Sequence, residues 1–70
     1  MGVRVGAAVL DRPTREVGRV AHVEYVPRRL DLFGQPLKAH RRYVVVFRDG
    51  RWCNDRRRDD LAPIDERLAP

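Results

Sequence analysis

The chain contains no serine and a single cysteine, Cys53, among its 70 residues. One thiol can form neither an intramolecular disulfide nor a cysteine zinc cluster. Small secreted domains generally depend on such staples, so a reducing, cytoplasmic setting is expected. There is also no nucleophile elbow and no phosphate-cradling glycine loop. Acids are plentiful, but Asp55, Asp59, Asp60, Asp65 and Glu66 stand beside arginines that keep them ionised. His22, His40 and Cys53 lack the paired spacing of metal ligands. A non-catalytic protein with no cofactor and no metal is the expectation. No stretch approaches the roughly 20 apolar residues of a membrane span. The N-terminus shows no basic segment followed by a long apolar run, so neither a membrane nor a signal peptide is expected.

What the chain has in quantity is arginine and valine. Fourteen of its fifteen basic residues are Arg, a bias that GC-rich coding also produces, so placement says more than number. Residues 1–26 carry a net charge of +1 and residues 43–70 a net of zero. Residues 27–42 hold Arg28, Arg29, Lys38, Arg41 and Arg42 against Asp31, a net of +4. A local field of one sign is what meets an anionic partner. The length allows one small domain, which buries only about 60% of its unfolded surface.

Valine favours strands. Val3, Val5, Ala7 and Val9 alternate with other residues, the period of a half-buried strand. A turn at Asp11-Arg12-Pro13-Thr14 ends it. A second strand is expected over residues 16–26, with Gly18 marking a bulge or a close backbone approach. Val17 and Val23 have one parity and Val20 the other, so a face-swapping bulge is expected between them. Tyr43-Val44-Val45-Val46-Phe47 reads as the central strand, with Tyr43, Val45 and Phe47 in the core. Asp49-Gly50 predicts a tight hairpin with positive φ at both residues. One helical turn capped by Asp55 and a short last strand at Leu61–Ile64 follow. The domain is expected over residues 1–65, with residues 66–70 as a fraying tail.

Five short strands bury their apolar faces by curling into a barrel. Gly6, Val9, Asp11, Thr14, Gly18 and Val20 in front carry a resemblance, with Phe47-Arg48-Asp49-Gly50 in the middle and Asp60-Leu61-Ala62-Pro63-Ile64 at the end. Together they resemble the Src-homology-3-like small β-barrels, of which the KOW and Tudor modules are members. The resemblance implies an all-β fold, a five-stranded barrel with a single helical turn before the last strand. It further implies a binding module, in a superfamily whose members contact RNA, DNA, ribosomal or transcription machinery, or peptides. The chain departs from that pattern in residues 27–42, a long basic loop between strands 2 and 3, and in having no Tudor-type aromatic cage.

That loop is the candidate site, since long loops in compact domains are usually functional or disordered. If strands 2 and 3 are neighbours, Arg28, Arg29, Arg41 and Arg42 converge at its base, with Lys38 between. Such a cluster neutralises phosphates, and Phe33 near the tip supplies a stacking contact. The expected partner is nucleic acid, RNA or DNA, bound with weak sequence specificity. The alternative is an adaptor that docks an acidic protein or homodimerises through Leu30, Leu32, Phe33 and Leu37. Exposure of those four together favours the adaptor; their packing beneath projecting arginines favours nucleic acid. Arg56-Arg57-Arg58 is cancelled by flanking acids, and gains interest only if the fold sets it beside the loop. Trp52 is expected in the core, the alternative being an exposed platform for a base, and Cys53 is expected as a small buried hydrophobe.

Overall fold

The computed structural model describes residues 3–69, which form an all-β protein. Strand β1 is Ala8–Asp11, β2 Glu16–Val26, β3 Arg29–Leu30, β4 Pro36–Leu37, β5 His40–Phe47, β6 Trp52–Arg56 and β7 Leu61–Pro63. Five of them make one antiparallel sheet in the order β6-β5-β2-β1-β7, while β3 and β4 pair as a separate ribbon. Single 3-10 turns stand at Arg58–Asp60, just before β7, and at Glu66–Leu68.

The core is the inner face of this sheet. Val9, Val20, Tyr43, Val45, Phe47 and Leu61 form one buried cluster, with Val3, Val23 and Cys53 packed at its margin. The alternation expected in β5 holds, since Tyr43, Val45 and Phe47 are all buried. The swap of faces in β2 is real as well. Val20 faces Val45 and Val23 faces Tyr43, with the register shifting at Ala21 between them. That extra residue turns both valines to the same interior. Gly18 permits the close approach of β5: a Cβ there would lie 2.6 Å from the Val46 carbonyl oxygen.

Four expectations are corrected. The first strand begins at Ala8, because Ala7 donates back to the Arg4 carbonyl and Gly6 takes φ +90°, a turn that ends the alternation of Val3 and Val5. The hairpin at Asp49-Gly50 forms, but only Gly50 has positive φ. Its three-residue loop is closed by Phe47 N–H donating to Arg51 O and Gly50 N–H to Phe47 O, a turn followed by one left-handed residue. Asp55 lies in β6 and does not cap the 3-10 turn; the N-cap residue is Arg57, whose N–H donates to the Asp60 carboxylate at 2.9 Å. Residues 66–68 of the expected tail form the second 3-10 turn, and Glu66 pairs with Arg19.

Asp11 is wholly buried. Its carboxylate accepts from Thr14 Oγ1 at 2.6 Å and from Arg56 Nε at 2.7 Å. Arg56 belongs to the edge strand β6, three places away from β1 in the sheet order. The sheet therefore curls enough for the Arg56 side chain to reach Asp11, and this ion pair links β6 to β1.

Candidate nucleic-acid interface

Residues 27–42 are not an irregular loop. His40, Arg41 and Arg42 extend β5, and Arg29 and Leu30 pair with Leu37 and Pro36. The facing pairs Val26–His40 and Arg29–Leu37 belong to one register, three residues on along one strand and three back along the other. The same register sets Arg28 opposite Lys38. Strands β2 and β5 thus run on through β3 and β4 as one long hairpin. Pro27, which has no N–H to donate, stands where the ladder is interrupted. From Tyr25 to Phe33 this arm extends roughly 25 Å at the usual rise per residue. The whole molecule measures 45 × 24 × 17 Å.

The tip is built like the Asp49-Gly50 hairpin. Asp31 N–H donates to Gln35 O, Gly34 N–H to Asp31 O, and Gly34 takes φ +77°. The Asp31 carboxylate also accepts from Phe33 N–H at 2.8 Å and from Gln35 N–H at 2.9 Å. The one acid within residues 27–42 is thereby spent on the turn. Leu32 and Phe33 occupy the turn's outer corner, 99% and 86% exposed. Leu30 and Leu37 on the adjoining strands are exposed too.

The expected site residues fall along this arm. Arg28, Arg29, Lys38 and Arg41 are exposed, and none makes an ion pair or side-chain hydrogen bond to another described residue. They do not converge at its base. Arg41 faces Tyr25 at the root, while Arg29 faces Leu37 further out, about 13 Å away at the usual rise. The charge is a stripe. Arg42 stands apart from it: its Nη2 donates to Glu24 Oε2 across the strand pair at 2.8 Å, and its buried Nε has no partner. The hydrogen bond from Arg42, and then its charge, hold the Glu24 carboxyl below the usual carboxylate range. Arg42 is thus occupied locally.

Two residues away from the arm also differ from expectation. Trp52 is 63% exposed; it faces Val46 on the outer side of the sheet, because the alternation of β6 gives the inner place to Cys53. Cys53 is half-buried, and burial pushes its thiol pKa up. The Arg56–Asp11 pair was not visible from the sequence, since its members lie 45 residues apart and Arg56 reads locally as one of three solvated arginines.

The described residues contain no group of three or more His, Cys, Asp or Glu that could hold a metal ion. No helix among them is long and apolar enough to cross a membrane. Comparison with protein-family models, with curated proteins and with solved structures finds no match in any of the three.

Proposed function

We propose that this protein is a non-catalytic cytoplasmic module that binds nucleic acid through its arm, with weak sequence specificity. The observation that carries the reading is the set of four exposed cations, Arg28, Arg29, Lys38 and Arg41, on a projecting ribbon whose one interior acid is bound into the turn. Phosphate contacts of this kind position a protein on a polyanion without reading bases. Phe33 and Leu32 at the tip suit stacking on an unpaired base or wedging between two. We read the body as a small barrel of the Src-homology-3-like kind. Its curl, bridged by Asp11 and Arg56, and the 3-10 turn directly before β7 support that reading.

The second reading, an adaptor for an acidic protein or for a second copy of the chain, also has an observation in its favour. Leu30, Leu32, Phe33 and Leu37 are exposed together. Their exposure is the outcome that favours the adaptor, and the projecting cations are the observation on the other side. Charge favours nucleic acid, because four cations lie along the arm's length and the apolar residues gather at its end.

The test is affinity for single-stranded and duplex oligonucleotides over a series of salt concentrations. Replacing Arg28, Arg29, Lys38 and Arg41 with Ala should flatten the slope of log K against log salt by roughly 3, at about 0.7 to 0.9 for each lost phosphate contact. An unchanged slope in the folded variant would remove the proposal. Retained self-association or capture of an acidic protein, lost on Phe33→Ala alone, would favour the adaptor.

A further inference from the structure

A second basic feature lies on the body, at the root of the arm. Here a cleft of about 350 Å³ opens between β5 and the 3-10 turn that precedes β7. Arg41, Arg57, Arg58, His40 and Asp59 line it, and the buried Tyr43 forms part of its lining. The fold thus brings the arginine run of residues 56–58 beside the basic arm, while taking Arg56 inward to Asp11. Three arginines and one acid, Asp59, thus line one shared space, and Arg58 among them already has an interaction of its own. Arg57 and Arg41 make no ion pair with another described residue.

The volume stands at the lower end of small-ligand sites, which run from about 300 Å³. The planar guanidinium fork matches the oxygens of a phosphate in paired hydrogen bonds, which a lysine ammonium cannot do. Arginines drawn from two separate elements can approach such a group from two sides, an arrangement that scattered surface charge lacks. Arg58 and Asp59 also line a smaller depression with Arg12, so basic surface continues from the arm onto the body.

We infer that the cleft between β5 and the Arg58–Asp60 turn is a phosphate-binding site, of a size for one nucleotide, in which Arg41 and Arg57 hold the phosphoryl group and Arg58 adds its charge to the lining. The phosphate belongs either to a free mononucleotide or to a nucleic-acid strand. The site goes beyond the arm's stripe and shares only Arg41 with it.

The probes are 5′-AMP, adenosine and a twelve-nucleotide single strand, followed by amide and arginine side-chain NMR shifts. AMP should shift residues 40–43 and 57–59 in a saturable manner, and adenosine should not. The double variant Arg57→Ala/Arg58→Ala should weaken AMP binding by about tenfold, the loss of a charge-assisted hydrogen bond or two. Asp59→Asn, which removes the opposing carboxylate, should strengthen it. AMP shifts no larger than those of adenosine, or a double variant that binds as the native chain does, would overturn the inference. If the single strand also saturates these shifts, the source is a strand; if only AMP does, it is a free nucleotide. A variant lacking Arg28, Arg29 and Lys38 separates the two proposals. Loss of AMP binding in the Arg57→Ala/Arg58→Ala variant, with strand binding kept, supports a cleft site distinct from the arm. Failure of AMP to bind while the strand binds through the arm sinks the cleft alone. AMP binding with no strand binding sinks the arm alone.

Discussion

The body and the arm handle charge in opposite ways. In the body, Arg19, Arg51, Arg56 and Arg67 each meet a carboxylate, and Arg56 does so at a buried aspartate. Arg51 also lies over the Phe47 ring, 5.6 Å from its centroid. Beyond Glu24 the arm has one acid, and that acid holds the turn. Pairing at these four spends charge on shape, whereas Arg28, Arg29, Lys38 and Arg41 along the arm, with Arg57 at its root, keep theirs available. The same residue type thus does structural work in one region and offers a surface in the other, and only the neighbouring acids distinguish the two uses.

That contrast breaks most visibly if the arm is stripped of its charge. The fourfold alanine variant should lose affinity for oligonucleotides on the order of 100-fold or more at about 0.1 M salt, with unfolding by urea little changed. A large fall in stability would mean that the arm's cations are structural after all. The reverse result is expected for Asp11→Ala. It strands Arg56 near the core and should cost roughly 3 kcal/mol, the loss on removing one member of a buried pair. Urea unfolding measures it, and oligonucleotide binding by the folded fraction should be retained.

A smaller effect sharpens the comparison within the arm. Asp31→Ala removes the acceptor for Phe33 and Gln35 N–H groups and should loosen the tip by about 1 kcal/mol, as losing a capping side chain does. Faster amide exchange confined to residues 31–35 would register it, with the body's protection intact. The smallest effect concerns Glu24. Its carboxyl pKa is depressed in the folded protein, so the pair with Arg42 stabilises at pH above the unfolded value and is lost as pH falls through the folded one. Acidification, or Glu24→Gln at neutral pH, should release Arg42 as a further cation and steepen the salt slope by about 1. An unchanged slope would show that Arg42 stays fixed without its partner.

Much of the body was legible because its signals are local. Alternation placed Tyr43, Val45 and Phe47 in the core, and the parity break among Val17, Val20 and Val23 marked the bulge. Asp49-Gly50 marked a hairpin, though of the kind with one left-handed residue in place of two. The arm was harder. Asp31 at the first position of a turn and Gly34 at its fourth are the residues a type I turn prefers, yet Pro27 and Pro36 on either side read as loop. Register decided the matter, since β2 and β5 carry their pairing past the point where local preference ends. The Asp11–Arg56 contact could not be read from neighbours at all, because only the curl of the sheet brings β6 to β1. Trp52 departs from its expected place for a related reason: its side of β6 depends on where that strand joins its partner.

A two-stranded ribbon standing clear of its sheet has two open margins, each able to recruit a strand from another molecule. Pro36 withholds a backbone donor on one of those margins, and Arg28, Arg29 and Lys38 make copies of the arm repel one another. The sequence that offers this ribbon to an anion therefore also keeps it from stacking on itself. Self-assembly would be restrained by the same charge that recruits the ligand, and it would be least restrained where a polyanion neutralises several arms at once.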